Sequence, residues 1–280
     1  MTMNSAGEAT RQYMTGQLRP THPALLSRFE QLSAEATQAL APTLDIAYGP
    51  HPRQRFDFFA GAASAPTIAY FHAGYWQSRD KSTFRFLAAG WVAAGFSVAL
   101  VNYPLCPEVD VATLTEAVRA FPPSFRDRMA LLGRSPALIA AGHSAGAHLA
   151  VELSLTDWTA RGHAERPIRA VIGLSGVYDL APIIDTPLNA KLNLNQDSAR
   201  AASPVGRVSP RMPPALFAAG GAETSAFLQQ NEDMASAWSA AGNAANALVV
   251  DGADHFSLLS EFTIAGSPLS EATLAIARKI

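Results

Sequence analysis

Cysteine is nearly absent: the 280-residue chain holds one, Cys106. A single thiol excludes an internal disulfide framework and a cysteine-built zinc site, and it suits a reducing compartment. Charge is sparse as well. Asp, Glu, Lys and Arg make up 16% of the chain, 21 basic against 23 acidic residues, for a formal net charge of −2. No dense Lys/Arg block occurs, which argues against a nucleic-acid binder and against docking on an anionic membrane. Long apolar runs are missing too. Gly, Pro or a charge breaks each one well short of the roughly 20 residues that a membrane-spanning helix needs. The opening MTMNSAGEATRQYMTGQ has neither the basic start nor the apolar centre of a secretory signal. The expectation is a cytoplasmic protein whose partner is a small-molecule substrate.

What is present is apolar: 49% of the residues are hydrophobic, enough for a sizeable core. The length lies within the range of one α/β domain. Seven short β-rich runs stand out: QRFDFFA (54–60), TIAYFHA (67–73), FSVALVNY (96–103), ALIAAGH (137–143), IRAVIGLS (168–175), ALFAAGG (215–221) and NALVVDG (246–252). Most of the later ones are continuously apolar, as strands buried on both faces of a parallel sheet should be. Helical patterns at 82–94, 111–121, 145–157, 225–241 and 269–279 fall between or after them. This alternation predicts a doubly wound α/β sheet in a single domain over residues 1–280. Residues 1–40 read as a helical N-terminal extension. Residues 178–213, mixing Pro, Asn and Ser with scattered apolar side chains, interrupt the alternation. Such an excursion is a candidate cover over a site, and equally a packed insertion or a homodimer contact.

AAGHSAGAHLA (140–150) sets Ser144 between Gly142 and Gly146 at the junction of a strand and a helix. G-x-S-x-G in that context describes a nucleophile elbow, whose strained turn lifts the serine above the sheet. The accompanying base and acid follow in chain order, Ser, then Asp or Glu, then His. Of seven histidines, only His255 lies in the loop after the final strand. Glu223, two residues past Gly220-Gly221 and ahead of a helix, is the candidate acid. Its bland reading is a carboxylate favoured by a helix dipole. Asp251 and Asp254 compete by closeness to His255, and Asp179 fits only a rearranged triad. FHAGYW (71–76) follows a strand at the place of an esterase oxyanion loop. The N–H groups of Ala73, Gly74 and Ala145 are the candidate oxyanion donors. His72, Tyr75 and Trp76 are candidate substrate-side residues, with His72 also suited to bracing the loop. Metal and cofactor readings fail. The two histidines of HSAGAH stand five apart, which does not align them on one helix face, and no phosphate-binding glycine loop is present. Cys106 reads as a small packed residue.

Several segments together resemble one family, the kynurenine formamidases (arylformamidases) of the α/β-hydrolase type. They are FHAGYW, VNYPLCPEV, AAGHSAGAHLA, SGVYDLAPI, TPLNAKLNL, GGAETSAFLQQ and DGADHFSLLSE, in the family's order across most of residues 66–262. The resemblance implies a three-layer α/β/α hydrolase fold with a mostly parallel sheet, and a triad of Ser144, Glu223 and His255. It also implies cofactor-free hydrolysis of N-formyl-L-kynurenine to formate and kynurenine, a step of tryptophan breakdown. Two positions depart from the family pattern. Ala73 stands where H-G-G-x-W has its middle glycine, and Glu223 stands where the acid is generally aspartate. These leave a small-acyl carboxylesterase or amidase of the same family as the alternative; a non-catalytic binding protein fits a complete triad poorly.

Overall fold

The computed structural model describes residues 5–280. Eight strands form one sheet: β1 (Thr43–Ala47), β2 (Arg55–Phe59), β3 (Thr67–Phe71), β4 (Ser97–Val101), β5 (Leu138–His143), β6 (Ile168–Leu174), β7 (Ala215–Gly220) and β8 (Ala245–Val250). Their order in the sheet is β1-β2-β4-β3-β5-β6-β7-β8. The first two pair antiparallel, and every pairing from β4 through β8 is parallel.

The continuous apolar runs explain the layering. Successive side chains of a strand face opposite sides, so each central strand feeds two cores. Ala69, Phe71, Leu138 and Ala140 enter one core, while Ile68, Tyr70, Ile139 and Ala141 enter the other. Burying a side chain as large as Phe71 contributes roughly 1.5–3 kcal/mol. The helices Ala145–Leu155 and Ser225–Ala240 supply apolar side chains to the first core, and Leu87–Ala93, Leu258–Thr263 and Pro268–Ala277 to the second. The fold is thus the three-layer arrangement that the sequence implied.

Four elements differ from expectation. β1 was not anticipated, because TLDIA is an edge strand with one buried residue and an irregular register at Asp45, whose φ is 55°. The helical pattern expected over 111–121 ends at Val118, and a second helix, Phe121–Leu131, follows with Pro122 and Pro123 in its first turn, where proline is tolerated. Residues 82–94 divide into a 3-10 turn, Lys81–Phe84, and the short helix Leu87–Ala93. β8 is apolar yet largely exposed, with Val249 at 50%, because it is the other edge of the sheet. The N-terminal extension is helical at Ser5–Tyr13 and His22–Leu40; residues 1–4 lie outside the described part. Residues 178–213 form two 3-10 turns and two short helices, Asn189–Leu192 and Gln196–Ala201. No helix among the described residues is long and apolar enough to cross a membrane.

Candidate active site

Parallel strands gather their carboxyl ends at one edge, which is where open α/β sheets bind ligands. Five loops meet there: 72–76 after β3, Ser144 after β5, Ser175 after β6, Glu223 after β7 and His255 after β8.

Ser144 sits between β5 and the helix Ala145–Leu155 with φ 57° and ψ −118°. This left-handed backbone costs a non-glycine residue about 1–3 kcal/mol. Its neighbours show why the turn is possible. A Cβ on Gly146 would lie 1.9 Å from the Phe71 carbonyl oxygen, and one on Gly142 would lie 2.1 Å from that of Gly146. The two glycines therefore let the helix press against β3 and fold back over β5. The Ser144 N–H donates to Leu174 O at 2.8 Å, which anchors the elbow to β6.

Glu223 and His255 meet as the chain order required. His255 Nδ1 is 2.7 Å from Glu223 Oε2. The other carboxylate oxygen accepts from the Ser175 hydroxyl and, at 2.8 Å, from the Gly220 N–H. Both partners are buried. The competing acids are occupied elsewhere. Asp254 faces His22 at 3.3 Å and accepts from the N–H groups of Phe256 and Ser257. Asp179 accepts from Ala181 N–H, and Asp251 is exposed. The His255 ring lies 4.4 Å from that of His143, the residue preceding Ser144. No hydrogen bond joins Ser144 Oγ to His255 among the described residues; such catalytic contacts often tighten only with substrate bound.

The N–H groups of Ala73, Gly74 and Ala145 donate to no acceptor among the described residues. That is the state expected of donors reserved for a developing oxyanion. Gly74 has φ 128°, and a Cβ there would lie 2.3 Å from Ser78 O, so glycine is required. Tyr75 and Trp76 follow with φ 49° and 58°. His72 is the brace of this loop. Its Nδ1 donates to Ala73 O at 2.7 Å, its ring stacks on Tyr103 at 4.4 Å, and burial pushes its pKa down to about 4. Trp76 is wholly buried and packs edge to face with His148 at 5.2 Å. The side chains of His72 and Trp76 therefore present no surface to solvent. Tyr75 is half-buried, and its hydroxyl donates to Tyr13 O. Cys106 is buried with its thiol pKa raised by burial to about 11, as a packed residue should be.

Residues of the N-terminal extension, unassigned in the sequence, reach the site. Thr224 Oγ donates to Gln12 O at 2.7 Å, the Ala226 N–H donates to Gln12 Oε1 at 3.1 Å, and Gln17 Nε2 donates to Thr224 Oγ at 2.9 Å. The segment 178–213 is also tied in, through Gln77 Nε2 donating to Leu188 O and His148 Nε2 donating to Ala202 O, both at 2.8 Å. Cavities of about 420 Å³, beside Trp158 and Arg166, and about 320 Å³, beside Glu152 and Arg207, lie elsewhere; neither is lined by Ser144, Glu223 or His255. No three His, Cys, Asp or Glu among the described residues are grouped to hold a metal ion.

Comparison with known proteins gives concordant results. The family model BD-FAE matches residues 59–238. A kynurenine formamidase of Danio rerio is 30% identical over 248 residues, covering 86% of this chain and 82% of the relative. A crystal structure from Silicibacter sp. superposes with a TM-score of 0.82 at 27% identity, covering 97% of this chain and 98% of the other. An esterase of Mycobacterium marinum shares the fold, with a TM-score of 0.72 at 18% identity and 96% of each chain covered.

Proposed function

The chain belongs to the BD-FAE α/β-hydrolase family and groups with the kynurenine formamidases, and on that premise we propose that it is a cytoplasmic serine hydrolase cleaving N-formyl-L-kynurenine to formate and kynurenine. One observation carries the reading: a buried Glu223–His255 pair lies beside a strained serine elbow whose flanking N–H groups are unpaired.

The chemistry runs in two halves. Glu223 holds Nδ1 protonated, which leaves the Nε2 lone pair to accept the Ser144 proton as Oγ attacks the formyl carbon. The oxyanion accepts from Ala73, Gly74 and Ala145. Removing one such donor costs roughly 3–4 kcal/mol in comparable sites. The imidazolium then protonates the aryl nitrogen, the C–N bond breaks, and the amine leaves a formyl ester on Ser144. Water, deprotonated by His255, attacks that ester and releases formate.

A formyl group is the smallest acyl and is the best tolerated beside the Ala73 methyl. The same methyl, and Glu223 where aspartate is usual, favour the second reading: a small-acyl carboxylesterase with another leaving group. The test is steady-state hydrolysis of N-formyl-L-kynurenine beside phenyl acetate. Efficient deformylation supports the first reading. Ester turnover without deformylation supports the second, and neither activity refutes both.

A further inference from the structure

Ser175, the residue after β6, has φ 46°. Glycine adopts this left-handed backbone at no steric cost, and other residues hold it only under strain. A glycine would suit the turn better, so what serine adds there is its hydroxyl. That hydroxyl is directed at one group. Ser175 is wholly buried, and its Oγ donates to Glu223 Oε1 and to nothing else among the described residues. Its N–H donates to Ala218 O at 2.7 Å, which pins the turn to β7, the strand that leads to Glu223.

We propose, resting on the serine-hydrolase reading, that Ser175 is a positioning residue that fixes the Glu223 carboxylate so that Oε2 stays on His255 Nδ1 through both proton transfers. A glutamate has an extra rotatable bond compared with the aspartate usual at this place, and its carboxylate needs more restraint. Two donors converge on Oε1, the Ser175 hydroxyl and the Gly220 N–H at 2.8 Å. Oε2 is left to the imidazole at 2.7 Å. Hydrogen bonds to an ionised carboxylate are of the stronger kind. Without the hydroxyl the Gly220 N–H holds Oε1 alone, and the carboxylate can swing about that single contact. Ser175 is buried away from any substrate, so its effect falls on kcat and not on KM.

The test measures kcat and KM for phenyl acetate in Ser175→Ala and Ser175→Gly. Both variants lose the hydroxyl, and only glycine also relieves the backbone. In both, kcat is expected to fall about tenfold, the worth of one hydrogen bond to a charged group, with KM unchanged. The proton NMR resonance of the His255 Nδ1–H should shift or broaden in both, which a change confined to the loop backbone would not cause. Adding Ser175→Ala to Glu223→Gln should cost less than about a further threefold, because the group that Ser175 positions is already disabled. Wild-type kcat in both single variants overturns the proposal. So does a loss in Ser175→Ala that Ser175→Gly restores, which would assign the effect to the backbone, or a full tenfold further loss in the double variant. Wild-type turnover in Glu223→Gln alone would instead overturn the triad reading.

Discussion

Replacing Glu223 by glutamine tests the triad through its hydrogen-bond geometry. The carboxylate Oε1 accepts from Gly220 N–H and from Ser175 Oγ, and Oε2 accepts from His255 Nδ1. The Gly220 N–H can only donate, so a glutamine must place its carbonyl oxygen there. Its NH2 then faces Nδ1, which must become an acceptor, and the ring proton moves to Nε2. In that tautomer His255 has no lone pair to offer Ser144. A wrong-tautomer histidine in a comparable triad costs about 10⁴ in turnover, or about 5 kcal/mol of barrier. The isosteric amide fills the same volume and keeps the Gly220 bond, so the folded state should be little disturbed. The assay is kcat on phenyl acetate, with a thermal melt on the same sample. Turnover within about threefold of wild type would refute the reasoning and remove Glu223 from the acid's role. A large fall in melting temperature would show that the loss came from unfolding.

Three further outcomes are expected. Gly146→Ala drives a methyl to 1.9 Å from Phe71 O and 2.7 Å from His72 O, both backbone atoms at the root of the oxyanion loop. Overpacking of this kind costs about 1–3 kcal/mol and an ångström of misplacement about 10² in rate, so wild-type kcat in this variant would contradict the elbow account. Asp254→Asn should change kcat less than about threefold, because Asp254 serves His22 and the Phe256 turn and not the His255 ring; a 10³-fold loss would say otherwise. Acid should destabilise the fold below about pH 6.5. Burial lowers the pKa of His72 to about 4, and those of His143 and His148 also fall. Between the unfolded and folded values the unfolded chain binds more protons, so stability falls with pH, by about 3 kcal/mol for His72 alone by pH 4. Urea midpoints at pH 7 and pH 5 check this, and an equal or higher midpoint at pH 5 would contradict it.

Much of this was legible in the sequence because the physics was local. The runs that became β3 to β7 are almost continuously apolar and, apart from Arg169, buried, as strands covered on both faces require. The glycines flanking Ser144 mark a close approach of backbones, and the chain order of serine, glutamate and histidine follows from topology. The choice between Glu223 and Asp254 was not local. It turns on His22, more than 200 residues away, which takes up the Asp254 carboxylate. The contacts of Gln12 and Tyr13 with Tyr75, Thr224, Ala226 and Gln230 were hidden for the same reason, since these partners lie beyond residue 74. The helix at 121–131 was obscured by two prolines that happen to stand in its first turn. β8 misled in the opposite sense, being apolar in sequence and exposed at a sheet edge.

In the proposed mechanism Ser144 carries the acyl group. The most direct measurement is covalent labelling with an alkyl phosphonate, followed by mass spectrometry of the digested protein and assay of the labelled sample. One adduct on the peptide containing Ser144, loss of turnover in step with labelling, and no adduct in Ser144→Ala is the predicted result. Labelling at another residue, or turnover that survives full modification of Ser144, would contradict the account.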